Sequence, residues 1–163
     1  MIIRPMTDHD RKAVLHLQNT GWSKETSPVY DRQWTDSDLE RNLKGGMTFF
    51  VAEVDGEIAG VLDFGPYYPF SAGKHVATFG ILIDERYQGQ GLGKALLAAL
   101  LTEAKAQGYT KIAMHVMGSN RTAISLYQKY GFKEEARLTK AFLIDGNYVD
   151  GLIFAKDLEE DHA

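Results

Sequence analysis

The segment Asp84–Leu101, DERYQGQGLGKALLAALL, sets Gly89, Gly91 and Gly93 directly ahead of a run of alanines and leucines. Glycine costs backbone entropy, so this spacing against the start of a strong helix needs a reason. A helix N-terminus presents unpaired N–H groups and about half a positive charge. Bare backbone lets an anionic oxygen reach those groups, and phosphate is the usual guest. The residues therefore fit a phosphate cradle; a tight strand-to-helix turn that binds nothing fits them equally well.

Spacing separates the known cradles. Walker A requires Gly-x-x-x-x-Gly-Lys-Ser/Thr, but Gln88 stands at the first glycine and Ala95 where the magnesium-binding hydroxyl belongs. The dinucleotide pattern G-x-G-x-x-G fails as well, because the third glycine comes one residue early. What remains is Gln-x-x-Gly-x-Gly, at Gln88, Gly91 and Gly93.

A second constellation follows in NRTAISLYQKYGF, Asn120 to Phe132. Positions 120, 123, 124 and 127 share one helical face, so an amide and a phenol point the same way. Taken singly, Asn120 reads as an N-cap and Tyr127 as a core aromatic. His75 and His115 add groups that titrate near neutrality. The chain has no cysteine, which excludes thiolate nucleophiles, disulfides and cysteine metal sites.

These groups sit in a chain of 163 residues, 44% hydrophobic and 25% charged, which fits one soluble domain over 1–163. A net charge of -4 argues against a nucleic-acid partner. No apolar run reaches the roughly 20 residues of a membrane span. The N-terminus lacks a basic-then-apolar leader pattern, so a cytoplasmic location is expected.

The elements that must position the site can be read from periodicity. IIRPM is a strand, and TDHDRKAVLHLQNTG a helix with Thr7 or Asp8 as N-cap. Asp55-Gly56 and Asp145-Gly146 each join two strands as hairpins. HVATFGILID is a strand whose Gly80 implies a bulge or a close approach. The helix after the glycine turn ends at Gly108 and is apolar all round from Ala95 to Leu101, so deep burial is expected. TKIAMHVM is a strand, and a further helix runs from Asn120 to Gly131. The order is mostly β-α-(α)-β-β-β-α-β-α-β-β, an α/β chain with a mixed sheet. Segments 21–38 and 65–74 read as long loops that carry Trp22, Tyr30, Trp34, Tyr67, Tyr68 and Phe70.

Through Gln88-x-x-Gly91-x-Gly93 and through Asn120, Ala123, Tyr127, Gly131 and Phe132, nearly the whole chain resembles the GCN5-related N-acetyltransferases. The resemblance implies the GNAT acyl-CoA N-acyltransferase fold: a central mixed, mostly antiparallel sheet flanked by helices and splayed between its fourth and fifth strands. It implies acetyl-CoA as co-substrate and no metal. The backbone of Gln88, Gly89, Gln90, Gly91, Leu92, Gly93 and Lys94 would hold the diphosphate. Ile81, Leu82 and Ile83 would pair with the pantetheine arm as an added strand does. By the same resemblance Asn120 contacts that arm and Tyr127 stands near the sulfur as the acid for the leaving thiolate.

Acetyl transfer also needs a neutral amine and donors for the thioester oxygen; the Leu82–Ile83 amides are the candidates. Many relatives carry a carboxylate base on the strand before the glycine loop, where this chain has Ala77 and Thr78. His75, His115 or a water chain remain as the base. HVATFGILID and GNYVD resemble the bacterial branch that acetylates amino acids and similar small amines, with direct attack in a ternary complex. Asp63, Tyr148 and Asp150 are candidates to bind an amino group, and the loop aromatics to wall a pocket. A protein N-terminal or lysine acetyltransferase and a non-catalytic CoA sensor are the alternatives. A homodimer through the second hairpin is left open.

Overall fold

The computed structural model describes residues 1–159. Strands β1 (Ile2–Pro5), β2 (Thr48–Val54), β3 (Glu57–Pro66), β4 (Val76–Ile83), β5 (Lys111–Met117), β6 (Lys133–Ile144) and β7 (Asn147–Asp157) form one sheet in the order β1-β2-β3-β4-β5-β7-β6. Helices α1 (Arg11–Thr20), α2 (Asp36–Lys44), α3 (Leu92–Ala106) and α4 (Arg121–Lys129) flank it. Both Asp-Gly hairpins form: Asp55 and Gly56 have φ of 51° and 80°, Asp145 and Gly146 51° and 79°. Positive φ at both central residues is what a turn matched to strand twist demands.

All pairings are antiparallel except β4 with β5. That parallel pairing holds only at Val76–Lys111 and Ala77–Ile112. From Thr78 onward the two strands part, the splay expected between the fourth and fifth strands.

Alternation on the strands divides the core. Leu62 and Phe64 face α3 and pack with Leu96, Leu97 and Leu100, while Val61 and Leu82 face α1 and α2 with Val14, Leu17 and Leu39. Each fully buried leucine contributes about 1.5–3 kcal/mol of transfer free energy. Helix α3 is not buried all round as expected: Leu96, Leu97 and Leu100 are covered, but Ala98 is exposed. Alanine is a strong helix former that tolerates solvent, so it completes the helix without joining the core.

Local polar chemistry moves two boundaries. Thr7 caps a 3₁₀ turn, Asp8–Asp10, and α1 starts only at Arg11. The cause is Asp10, nearly buried, which accepts from the Thr7 amide at 2.8 Å and from Arg4 at 2.7 Å. The first long loop ends at Thr35, not Asp38. Thr35 and Asp38 cap each other reciprocally, with Thr35 N donating to Asp38 Oδ2 at 2.9 Å, and so open α2. No bulge occurs at Gly80, since the register with β3 runs unbroken from Gly60–Ile83 to Pro66–Ala77.

Candidate active site

A cavity of about 950 Å³ fills the gap where β4 and β5 separate. It reaches both faces of the sheet. On the α3 and α4 side it meets Phe79, Ile81, Ile83, Met114 and Val116; on the α1 side, by strand alternation, Gly80, Leu82, His115 and Met117. Of the residues singled out for the cofactor and for acid and base catalysis, all line this cavity except Gln90, which is exposed outside it, and His75, which lies elsewhere.

The glycine turn owes its shape to two residues rather than three. Gly89 and Gly91 have φ of 78° and 83°, and a Cβ on either would meet nothing within 4 Å. Their lack of a side chain serves backbone conformation and leaves open space, which suits a phosphate cradle. Gly91 is the N-cap of α3, whose first turn carries no acidic residue. The free amides and helix dipole there face the cavity without a competing charge. Gly93 acts differently: a Cβ would sit 3.1 Å from Leu126 Cδ2, so its absence lets α4 pack against α3. The Tyr130 hydroxyl donates to the Lys94 carbonyl at 3.0 Å and reinforces that contact.

Helix α4 supplies Asn120 and Tyr127 from one face. Asn120 Oδ1 accepts from the Ala123 amide at 3.3 Å as N-cap, which leaves its NH₂ group for the cavity. Tyr127 is 4% exposed and meets Phe79 edge-on at 5.5 Å. Its hydroxyl has no hydrogen-bond partner among the described residues. Burial pushes the phenol well above its ordinary pKa, so the hydroxyl keeps its proton throughout the physiological range.

The remaining candidates are dispersed. Loop 21–35 brings Gly21, Trp22, Thr26 and Pro28 to the cavity wall, but not Tyr30 or Trp34. Lys24 pairs with Asp145 at 2.8 Å, and Ser119 Oγ donates to the Glu25 carbonyl at 2.8 Å, so the loop is fastened across the site. Asn19 clasps the main chain of Trp34 at 2.6 and 3.0 Å. No spacing in the sequence signals that long-range bond. Segment 65–74 lies elsewhere: Tyr67, Tyr68, Phe70 and His75 line a separate cavity of about 440 Å³. His115 does border the main cavity, yet its Nε2 is engaged by the Tyr67 hydroxyl at 2.9 Å.

The amino-group candidates separate in the same way. Tyr148 is exposed beneath the Lys140 ammonium. Asp150 takes hydrogen bonds from the Lys140 amide at 3.0 Å and from Arg137 at 2.7 Å, which hold it below its usual pKa. Asp63 is half-buried on β3, opposite Gly80, and its carboxyl has no ion pair and no hydrogen bond from another residue among the described residues. Burial pushes its carboxyl up to about 7.

The model of the acetyltransferase (GNAT) family matches residues 11–132. An L-amino acid N-acetyltransferase of Escherichia coli K12 is 31% identical over 161 residues, 96% of this chain and 97% of the relative. A phosphinothricin N-acetyltransferase of Streptomyces viridochromogenes is 28% identical over 162 residues, 96% of this chain and 87% of the relative. A crystal structure of a Streptococcus mutans UA159 protein superposes with a TM-score of 0.92 at 40% identity, covering 97% of this chain and 99% of that one.

Proposed function

The chain belongs to the acetyltransferase (GNAT) family, and from that premise we propose a single-domain N-acetyltransferase that moves the acetyl group of acetyl-CoA to the primary amine of a small molecule such as a free amino acid. The observation that carries this reading is the cavity between the parted ends of β4 and β5, with left-handed Gly89 and Gly91 at one side and Tyr127 within. Amides from Gln88 to Lys94 bind the diphosphate. The open edge of β4 at Ile81, Leu82 and Ile83 pairs with the pantetheine arm, and Asn120 steadies it. Backbone N–H groups near Leu82 and Ile83 stabilise charge on the thioester oxygen.

Tyr127 then protonates the departing sulfur. Its raised pKa keeps a proton available but makes it a weaker acid than an ordinary phenol. The named relatives act on amino acids and on phosphinothricin, which favours a small amine over a protein terminus. A homodimer and a cytoplasmic location belong to the same proposal. Strand β6 is the outer strand of the sheet and exposes Leu138 and Leu143, which supports pairing with a second copy. No described helix is long and apolar enough to cross a membrane.

Calorimetry with acetyl-CoA, followed by thiol release with free L-amino acids as acceptors, tests the assignment. Binding together with release supports it. A folded protein that takes up no acetyl-CoA overturns it.

A further inference from the structure

We propose that Asp63 is the general base of this enzyme, taking the proton from the acceptor's ammonium group on the α1 side of the β4–β5 gap. The inference rests on the acetyltransferase reading above and names the residue that reading lacks.

Three observations converge on this carboxylate. The first is an absence that the site must make good: none of the residues lining the main cavity is an Asp or Glu. The ionisable groups there are Tyr87, Lys94, His115, Arg121, Tyr127 and Lys129. Most are cationic or weakly acidic, and His115 is already bonded to Tyr67.

The second is geometric. Gly80 lines the cavity, and a Cβ built on it would lie 3.1 Å from Asp63 Oδ1. The carboxylate therefore stands against the space that a side chain at position 80 would fill. Gly80 and Leu82 share the sheet face covered by the α1 loop, where Gly21 and Trp22 border the cavity. Glycine at 80 opens a window from β3 to the splayed edge of β4, one residue before Ile81.

The third is electrostatic. The residues paired with Asp63 in the sheet, Phe49 and Gly80, carry no charge. Burial raises its pKa to about 7 against the smaller, opposing hydrogen bond from its own backbone, and no neighbouring cation adds to that opposition. A base serves best when its pKa lies near the working pH. Such a carboxylate also attracts an ammonium ion and, with a pKa raised by burial, is a stronger base toward it than an ordinary carboxylate.

The step balances as follows. Asp63 accepts one proton from R–NH₃⁺, and the freed nitrogen lone pair forms the C–N bond at the thioester carbon. The C–S bond breaks, and its electrons leave on sulfur. Sulfur takes the Tyr127 proton, and the phenol recovers one from the acylated nitrogen through solvent. Asp63 releases its proton to water, so amide, thiol and one net proton are formed.

Asp63→Asn keeps the shape and removes the base. With free L-amino acids as acceptors, kcat/KM near pH 7 should fall about 10²-fold or more. The ascending limb of the wild-type pH profile near 7 should vanish, with acetyl-CoA affinity unchanged by calorimetry. Gly80→Ala, which crowds the carboxylate, should shift or weaken the same limb. An Asp63→Asn enzyme with the wild-type pH profile overturns the inference while the acetyltransferase reading stands. Wild type that binds no acetyl-CoA removes both. Should the Asn variant fail to fold, a wild-type kcat/KM profile with no limb between about 6 and 8 overturns the inference by itself.

Discussion

The Phe132 amide donates to the Tyr127 carbonyl at 3.0 Å, and the Phe132 ring packs 6.0 Å from the Tyr127 ring. With the Gly131 amide bonded to the Gln128 carbonyl at 3.1 Å, this is a Schellman closure of α4. It gives a physical reason for the spacing Tyr-x-x-x-Gly-Phe. Gly131 takes the left-handed position at φ 85°, and Phe132 folds back over the tyrosine whose hydroxyl faces the cavity. The helix end fixes the phenol from its own backbone.

Gly131→Ala tests that device. A Cβ at positive φ costs about 1–2 kcal/mol, and here it would also meet Lys156 Nζ at 2.8 Å. Melting temperature should drop, and turnover should fall more than acetyl-CoA affinity, because the displaced group is the acid and not the cradle. Equal losses of turnover and affinity would mean the closure does not act through Tyr127.

The glycine turn makes a sharper contrast. Gly91→Glu puts a negative side chain beside the amides that face the diphosphate, and acetyl-CoA affinity should fall at least about tenfold, roughly the 1.4 kcal/mol of one lost charge-assisted contact. Gly93→Ala should leave affinity nearly intact and instead lower the melting temperature, since its Cβ meets Leu126 on α4 at 3.1 Å. Calorimetry and thermal melts on the two variants separate binding glycine from packing glycine.

The same contrast shows what a sequence can and cannot disclose. The hairpins and the left-handed glycine turn follow from local rules, because an Asp-Gly pair or a bare strand-to-helix turn carries its geometry within a few residues, whereas the splay comes only with the family resemblance. Gly93 looked like a member of the cradle, and only the position of Leu126 reveals its packing role. Gly80 signalled a close approach, but its partner Asp63 lies on the neighbouring strand, at a distance that register alone decides. Helix α2 enters the expected order only in brackets and without bounds, because its start depends on a reciprocal cap between Thr35 and Asp38 in a segment rich in loop formers. Segment 65–74 carries the aromatics of a pocket but lines a separate one, since the path of a loop across a sheet leaves no periodic trace.

Two carboxylates should tilt stability with pH in opposite senses. Asp10 is held down to about 2, chiefly by its hydrogen bonds from Arg4. Its contribution is present above the unfolded value of about 3.9 and is lost as pH falls toward 2, on the order of 2 kcal/mol. Asp63 is pushed up to about 7 by burial, so the folded state holds its proton where the unfolded chain has lost it. Stability should therefore fall as pH rises from about 4 to about 7. Melts of Asp10→Asn and Asp63→Asn against wild type check both signs. The first variant should lose stability at neutral pH and converge with wild type in acid; the second should gain on wild type as pH rises through 7.

Tyr127→Phe isolates the acid from the core. The phenol ring fills the space between Phe79 and Phe132, and phenylalanine keeps both contacts. The lost hydroxyl has no partner among the described residues, so its removal leaves no orphaned group and should leave the melting temperature unchanged or slightly raised. Acetyl-CoA affinity should persist, because the diphosphate and pantetheine contacts lie elsewhere. Turnover should fall by about 10²-fold, the lower end for general acid catalysis, since burial has already weakened this acid. A leaving thiolate that needs no proton at neutral pH should narrow that loss: an acetyl donor with a low-pKa thiol should react nearly as well with the variant as with wild type. Undiminished turnover of acetyl-CoA itself would transfer the proton to solvent and leave Tyr127 a packing residue.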